Sequence, residues 1–317
     1  MPERSKRIVL HDDEKMNNIN TETQKLMQKY KVDMALRELS PKTQYNYITD
    51  LNQWFIYIYD FQFNQCVTEL TDDDITEFFY YCKQEGNNTD RIKRRMSAIS
   101  AFYIFLRKKK IIQSNPMEFI DRPKKGMAVV VQTFLTKEQV NLMRKKLDEY
   151  GNLQLKTYAL LSLSTMARVN AIANIKWKQI DFENRIIKDV LEKEGKIVDL
   201  FFSEEVKGLL LQLKQYRENN EINDYGWVLF GGKNTEDMPI NTVTLNLWCK
   251  KIGEMIGVPT LHPHDFRHSG ATMLKNAGMP LEDISKLLNH GGTDVTSKYY
   301  IKEDTSRISK LKDQFEI

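Results

Sequence analysis

The chain has 317 residues, of which 41% are apolar, 28% charged and 10% aromatic, with a net charge of +4. This is the make-up of a folded globular chain with room for two cores, not of a disordered or fibrous one. No apolar run approaches the ~18 residues that span a bilayer, the charged start Met1 to Arg7 leads into no leader-like apolar segment, and Cys66, Cys82 and Cys249 are too scattered for a disulfide framework or a zinc cage, so membrane, secreted and metal-cage classes are excluded.

Residues 1–20 are polar, carry no hydrophobic period and predict a mobile arm. Residues 21–120 read as a bundle of four or five helices. Ser40-Pro41 is an N-cap followed by Pro at the first helical position, and Tyr47, Leu51, Trp54, Phe55 and Ile58 then form one apolar stripe. Thr71 starts a second helix with Asp72, Asp73 and Asp74 in its first turn, where the helix dipole favours acids. Its inward residues are Ile75, Phe78, Phe79 and Cys82, and Gly86-Asn87-Asn88 ends it. Thr89 opens a third helix striped by Ile92, Met96, Ile99, Phe102, Tyr103 and Leu106. From Arg91 to Lys110 stand Arg91, Lys93, Arg94, Arg95, Arg107, Lys108, Lys109 and Lys110 with no acid between them. These are expected on the outer faces of the helix, forming one basic surface suited to phosphates.

Asn115-Pro116 stops this module, and Arg122-Pro123-Lys124-Lys125-Gly126 reads as an interdomain linker over 121–130. The remainder, 131–317, reads as a second domain. It opens on a short extended stretch, Met127 to Phe134, then a helix from Thr136 to Glu149 capped as Thr-x-x-Gln, then an apolar helix from Tyr158 to Ala167. Period-two patterning from Ile180 to Phe202, broken by a Glu192-Lys193-Glu194-Gly195 turn, predicts a small antiparallel sheet. Further helices are expected over Glu204–Tyr216, Thr242–Ile256, Phe266–Ala277, Leu281–Leu288 and Asp304–Phe315. The fold class is therefore mainly α, with an all-helical N-terminal module and an α+β second domain.

Three polar features interrupt these patterns. In Leu261-His262-Pro263-His264-Asp265-Phe266-Arg267-His268, a helix opening at Pro263 puts His264 and Arg267 on one face beside its positive end, a good anion site or else simply a solvated helix start. In Leu288-Asn289-His290-Gly291-Gly292 the glycines break a helix just after His290, and Tyr299-Tyr300 follow in a polar segment where either could simply pack. Arg168 closes a strongly apolar helix, where an unpaired guanidinium is costly and a structural ion pair is the plain alternative.

Taken in order, Arg168, a hairpin lysine, His264-x-x-Arg267, His290 and Tyr299 resemble the signature of the tyrosine recombinases, the phage integrase family. His264 to His290 is 26 residues and His290 to Tyr299 nine, as in that family. The Ser40-Pro41-x-Thr43-x-x-x-Tyr47 helix start is similar to the family's SAM-like core DNA-binding domain. Two departures stand out: Ala171 replaces the acid usual three residues after the first Arg, and Asn289 replaces the Gly before the second His.

The resemblance implies a site-specific recombinase that cleaves and rejoins DNA through a 3′-phosphotyrosyl ester, without metal or other cofactor. Tyr299 is then the nucleophile, with Tyr300 as runner-up. Arg168 and Arg267 clamp the phosphate, while His264 and His290 bond to it or relay the nucleophile's proton. The general acid is Lys193, with Lys196 a close second. DNA contacts are expected from Thr43, Arg91, Lys93, Arg94, Arg95, Lys108, Lys124 and Lys125. The implied partners are double-stranded DNA, enclosed by a two-domain clamp, and further copies of the chain: a dimer per site and a tetramer in the synapse. Neither a membrane nor a small-molecule substrate is implied, the setting is cytoplasmic and nucleoid-associated, and no additional N-terminal DNA-binding domain is expected. The alternative is an inactive relative that binds DNA as a repressor.

Overall fold

The structure, a computed structural model, describes residues 6, 12–124, 134–192, 195–231, 237–289 and 293. The chain divides into two compact units, 1–131 and 132–317. Lys125, Lys193, His290, Tyr299, Tyr300, the extended stretch 127–133 and the expected helix over 304–315 lie outside the described residues.

The first unit contains α1 (Asp13–Asn17), α2 (Thr21–Leu36), α3 (Pro41–Phe61), α4 (Asp72–Gln84), α5 (Thr89–Lys108) and a 3-10 turn at Pro116–Phe119. The helix starts follow the sequence signals. Ser40 Oγ accepts from Thr43 N, Thr71 and Asp74 cap each other reciprocally, and Asn88 caps α5. Trp54, Phe78, Phe102 and Tyr103 are buried in one core, where Tyr103 Oη donates to Val67 O at 2.8 Å. Within the stretch expected as an arm, Asp13–Asn17 forms the helix α1, a difference from that expectation. It lacks an apolar period because polar contacts hold it: Lys15 Nζ pairs with Asp60 at 2.7 Å, and Asn20 N donates to Asn64 Oδ1 at 2.8 Å. Among the described residues of this stretch, Ile19 is buried in the core and Met16 packs against it.

The second unit contains α6 (Lys137–Tyr150), α7 (Leu153–Thr165), α8 (Val169–Ala173), the strands β1 (Ile180–Asp181), β2 (Ile186–Leu191) and β3 (Ile197–Phe201), then α9 (Glu204–Asn219), α10 (Thr242–Met255), α11 (Pro263–Asn276) and α12 (Leu281–Leu287). The apolar α7 is its axis and packs against α6, α9 and α11. Helix α11 approaches closely because Gly270 has no side chain: a Cβ there would stand 2.4 Å from Leu163 O and 2.7 Å from Met166 Cγ. The strands pair antiparallel in the order β1-β2-β3, with an irregularity between Ile187 and Val190. Glu192, expected in the hairpin turn, instead continues the ladder, its N–H donating to Lys196 O at 2.7 Å. Helix α11 begins three residues before the apolar pattern does, because Pro263 supplies its first turn and Asp265 accepts from His262 N at 2.9 Å.

Candidate active site

The site forms around the N-terminus of α11 in the second unit. Arg168, Val169, Asn170, Asn246, His262, Pro263 and His264 line a cleft of about 320 Å³. The first N–H groups of α11 and the positive end of its dipole lie at this place, so the cleft is suited to an anion.

Arg168 follows a sharp reversal. Met166 ends α7 in the left-handed conformation, at φ +54°, and Arg168 caps α8. A side chain in that conformation costs on the order of 1 kcal/mol, and the surroundings hold it there: the Met166 carbonyl accepts a hydrogen bond from Arg267 Nη1 at 2.8 Å. Arg168 itself is ion-paired, Nη1 to Oε2 of the buried Glu192 at the end of β2. The plain expectation of a structural ion pair thus holds for Arg168, and the arginine lines the cleft as well.

Arg267 is 1% exposed. Besides Met166 O, its Nη2 donates to Leu288 O at 2.5 Å. One guanidinium therefore ties α11 to the chain two residues before Arg168 and to the chain two residues before His290. A planar fork with fixed donor directions suits this double bond, and an ammonium does not. In sequence His264 and Arg267 were expected to share one face of the helix beside its positive end. The structure puts His264 on the cleft and Arg267 beneath it.

His264 is exposed to the cleft on one side and meets the buried His268 ring on the other, with centroids 4.6 Å apart and planes at 82°. Partial loss of water around the ring, then the Arg267, His262 and Arg168 charges, push its pKa down from 6.5 to about 4. At neutral pH it is an uncharged imidazole, able to donate one hydrogen bond and to accept a proton. Arg168 and His264 share the lining of the cleft, and Arg267 lies one turn along α11 from His264. His268, pushed down to about 3 by burial and then by His264, backs the His264 ring.

The corner that leads to His290 is also described. Asn289 adopts φ +53°, a conformation that Asn tolerates well, which accounts for Asn where the family resemblance places Gly. Its carbonyl accepts from Lys196 Nζ at 3.0 Å, so one of the two lysine candidates touches the residue before His290. Among the described residues, no cluster of three His, Cys, Asp or Glu stands ready to hold a metal ion.

The profile of the phage integrase family matches residues 133–307, more than half of the chain and all of the described site. The chain belongs to the phage integrase family. The profile of the family's N-terminal SAM-like domain matches residues 28–110, within the first unit. Among curated proteins, the tyrosine recombinase XerC of Pediococcus pentosaceus is 28% identical over 278 residues, which is 83% of this chain and 88% of that one. XerC of Roseiflexus castenholzii is 26% identical over 276 residues, 83% and 84% of the two chains. A solved lambda integrase dimer bound to a COC′ core site superimposes with TM-score 0.69 at 17% identity, covering 90% of this chain and 96% of that one. The Tn1549 transposon integrase in complex with transposon right end DNA gives 0.67 at 16%, covering 92% and 99%. These two likenesses establish the fold. As a member of the phage integrase family, the chain is a site-specific tyrosine recombinase, an enzyme that cuts and rejoins DNA.

For an integrase-family chain, the candidate DNA residues of the first unit are less uniform than their sequence suggests. Asp50, fully buried on α3, gathers the start of α5: Arg91 Nη2 lies 2.5 Å and Arg94 Nε 3.2 Å from its carboxylate. Arg95 is 1% exposed, with Nε donating to Asn87 at 2.8 Å, Nη2 to Gln53 at 2.6 Å, and its guanidinium carbon over the Phe78 ring. This corrects the expectation that the basic residues occupy only outer faces: Arg95 belongs to the core, and an acid from another helix neutralises part of the run. Arg94, Lys108 and Lys124 are exposed, while Thr43, Arg91 and Lys93 are half-buried. Sequence reasoning missed Asp50 and Glu192. Asp50 breaks the apolar stripe of α3, which was the available signal, whereas Glu192 stands in a polar turn segment that gave none.

Proposed function

We propose that this recombinase acts on double-stranded DNA through the arginines and histidine at the N-terminus of α11, with Tyr299 as nucleophile. The phenolic oxygen of Tyr299 attacks a backbone phosphorus and the bond to the 5′-oxygen breaks, leaving a 3′-phosphotyrosyl ester and a 5′-hydroxyl. Attack by a 5′-hydroxyl of the partner strand reverses the step and releases the tyrosine, so bond energy is kept and no co-substrate is consumed. Arg168 and Arg267 oppose the charge that develops on the phosphate. His264, neutral beforehand, gains proton affinity as the anionic phosphate arrives, and with His290 it relays the tyrosine proton. Lys193 or Lys196 protonates the 5′-oxygen.

The observation that carries this reading is that Arg168 and His264, from separate stretches of the chain, line one cleft at a helix N-terminus, with the buried Arg267 one turn along the same helix from His264. Exposed Arg94, Lys108 and Lys124 fit a sequence-independent grip on the backbone. Lambda integrase has been solved as a dimer on a core site and as a tetramer on a Holliday junction. We assign the same stoichiometry here, in a cytoplasmic, nucleoid-associated setting. The curated relatives described above are named recombinases, and no observation favours the repressor alternative.

The test is a duplex nicked near the cleavage position, so that the cut strand end diffuses away, built on sites selected from random-sequence DNA by the protein itself. The wild-type protein forms a covalent adduct that survives denaturation, Tyr300→Phe forms it too, and Tyr299→Phe does not. Sequence-specific binding with no adduct in the wild type would instead establish the repressor.

A further inference from the structure

The burial pattern at the end of β2 is inverted: Leu191 is 51% exposed while its neighbour Glu192 is 5% exposed. The cause lies four residues earlier. In a regular strand, side chains alternate, and burial of Ile187 would be followed by burial of residues 189 and 191. Between Ile187 and Val190 the register shifts by one, from Ile187↔Leu200 to Val190↔Val198, and Asp189 takes φ +54°. This bulge turns the strand over, so Val190 and Glu192 point inward instead.

A carboxylate in that position is costly to bury unless it has a partner. Its partner is Arg168, bound through Oε2, while Oε1 is buried with no hydrogen-bond partner among the described residues. On α8, one turn after Arg168, stands Ala171, fully buried and without any polar group. The integrase-like pattern has an acid at that place, and here the only described carboxylate paired with the arginine comes from the hairpin. We infer that Glu192 is the positioning residue of Arg168, fixing its guanidinium toward the phosphate from β2 in place of a carboxylate on α8. Glu192 also directly precedes Lys193 and pairs with Lys196 through its backbone. The acid that orients the phosphate clamp is thus part of the hairpin that carries both general-acid candidates, and displacement of that hairpin disturbs both at once.

The inference rests on the assignment of Arg168 to the phosphate. It is tested by adduct formation on the nicked duplex at saturating DNA, with DNA affinity measured separately. Glu192→Gln keeps shape and removes charge. It is expected to slow adduct formation by roughly 10- to 100-fold, by analogy with residues that orient metal ligands, with the dissociation constant for DNA within about 2-fold of wild type. In an Arg168→Lys background, the same substitution is expected to add less than about a 2-fold loss. Should Glu192→Gln fail to fold, Glu192→Asp replaces it in the same comparison, slow with Arg168 and without further effect beside Lys. A wild-type rate overturns the inference, as does an equal loss in both backgrounds, which marks a merely structural role. A faster rate also overturns it, since Glu192 would then be holding Arg168 away from the phosphate. If the wild type forms no adduct, or Tyr299→Phe forms it equally well, the proposed function fails and the inference falls with it.

Discussion

In the first unit three arginines that are neighbours in the sequence, Arg91, Arg94 and Arg95, gather on the single carboxylate of Asp50. In the second, two arginines far apart in the sequence come to one region, Arg168 on the carboxylate of Glu192 and Arg267 on the carbonyls of Met166 and Leu288. Three members of the dense basic run are thus drawn onto one buried acid, whereas the two isolated arginines build the site. Local density of charge in a sequence reports neither surface nor function, because the balancing acid can arrive from any element. What separates the two clusters is placement: Asp50 is fully buried and helps draw Arg95 into a core, while in the second unit Arg168 lines a cleft open to an anion and Arg267 is buried near it.

The largest effect that sharpens this contrast is expected at Arg267. Replacing it by Ala leaves two buried carbonyls without donors and should cost about 3 kcal/mol or more in urea unfolding, together with all adduct formation. A loss below about 1 kcal/mol would show that the guanidinium is not the joint between α11, Met166 and Leu288. Asp50→Asn comes next. Two or three arginines then lose a charged acceptor, and the first unit should lose about 2 kcal/mol without any change in the rate of adduct formation at saturating DNA.

The third effect is on pH. His264 and His268 fall from 6.5 to about 4 and about 3 in the folded protein. The unfolded chain therefore takes up these protons first, so the stability they contribute is complete above about pH 6.5 and is lost as pH falls toward 4. Thermal melts should show a falling Tm over that window, less steep in His268→Gln. A Tm that stays level between pH 6.5 and 4 would contradict the burial of His268 and the lowered proton affinity of both rings. The smallest effect on stability is at exposed Arg94, where Ala should change unfolding by no more than about 0.5 kcal/mol. Its signature is in DNA binding: the slope of log affinity against log salt should fall by about 1. If Arg95→Met, rather than Arg94→Ala, gave that salt signature without loss of stability, the two arginines would have been assigned the wrong way round.

The helices were legible where a cap and an apolar stripe coincide. Ser40, Thr71 and Thr136 each cap the helix they announce, and the stripe residues of α4 and α5 are buried. The site was legible as residue types at family spacing, and the structure brings Arg168, His264 and Arg267 together. Two things were hidden for physical reasons. Polar side chains rather than apolar periodicity hold α1, so its sequence resembles a loose arm. The inward turn of Glu192 depends on a bulge at Lys188–Asp189, and period-two reasoning assumes that no bulge intervenes. An acid next to a hairpin lysine therefore read as a solvated turn residue when it is the partner of Arg168.

The most direct test of the central claim is mass spectrometry of the peptide left on DNA after the trapped adduct is digested with protease. The account predicts a nucleotide 3′-phosphate esterified to Tyr299, formed by the wild type and lost when Arg168 or Arg267 is replaced by Ala. Attachment at another residue, or an undiminished yield of the Tyr299 ester without either arginine, would contradict it.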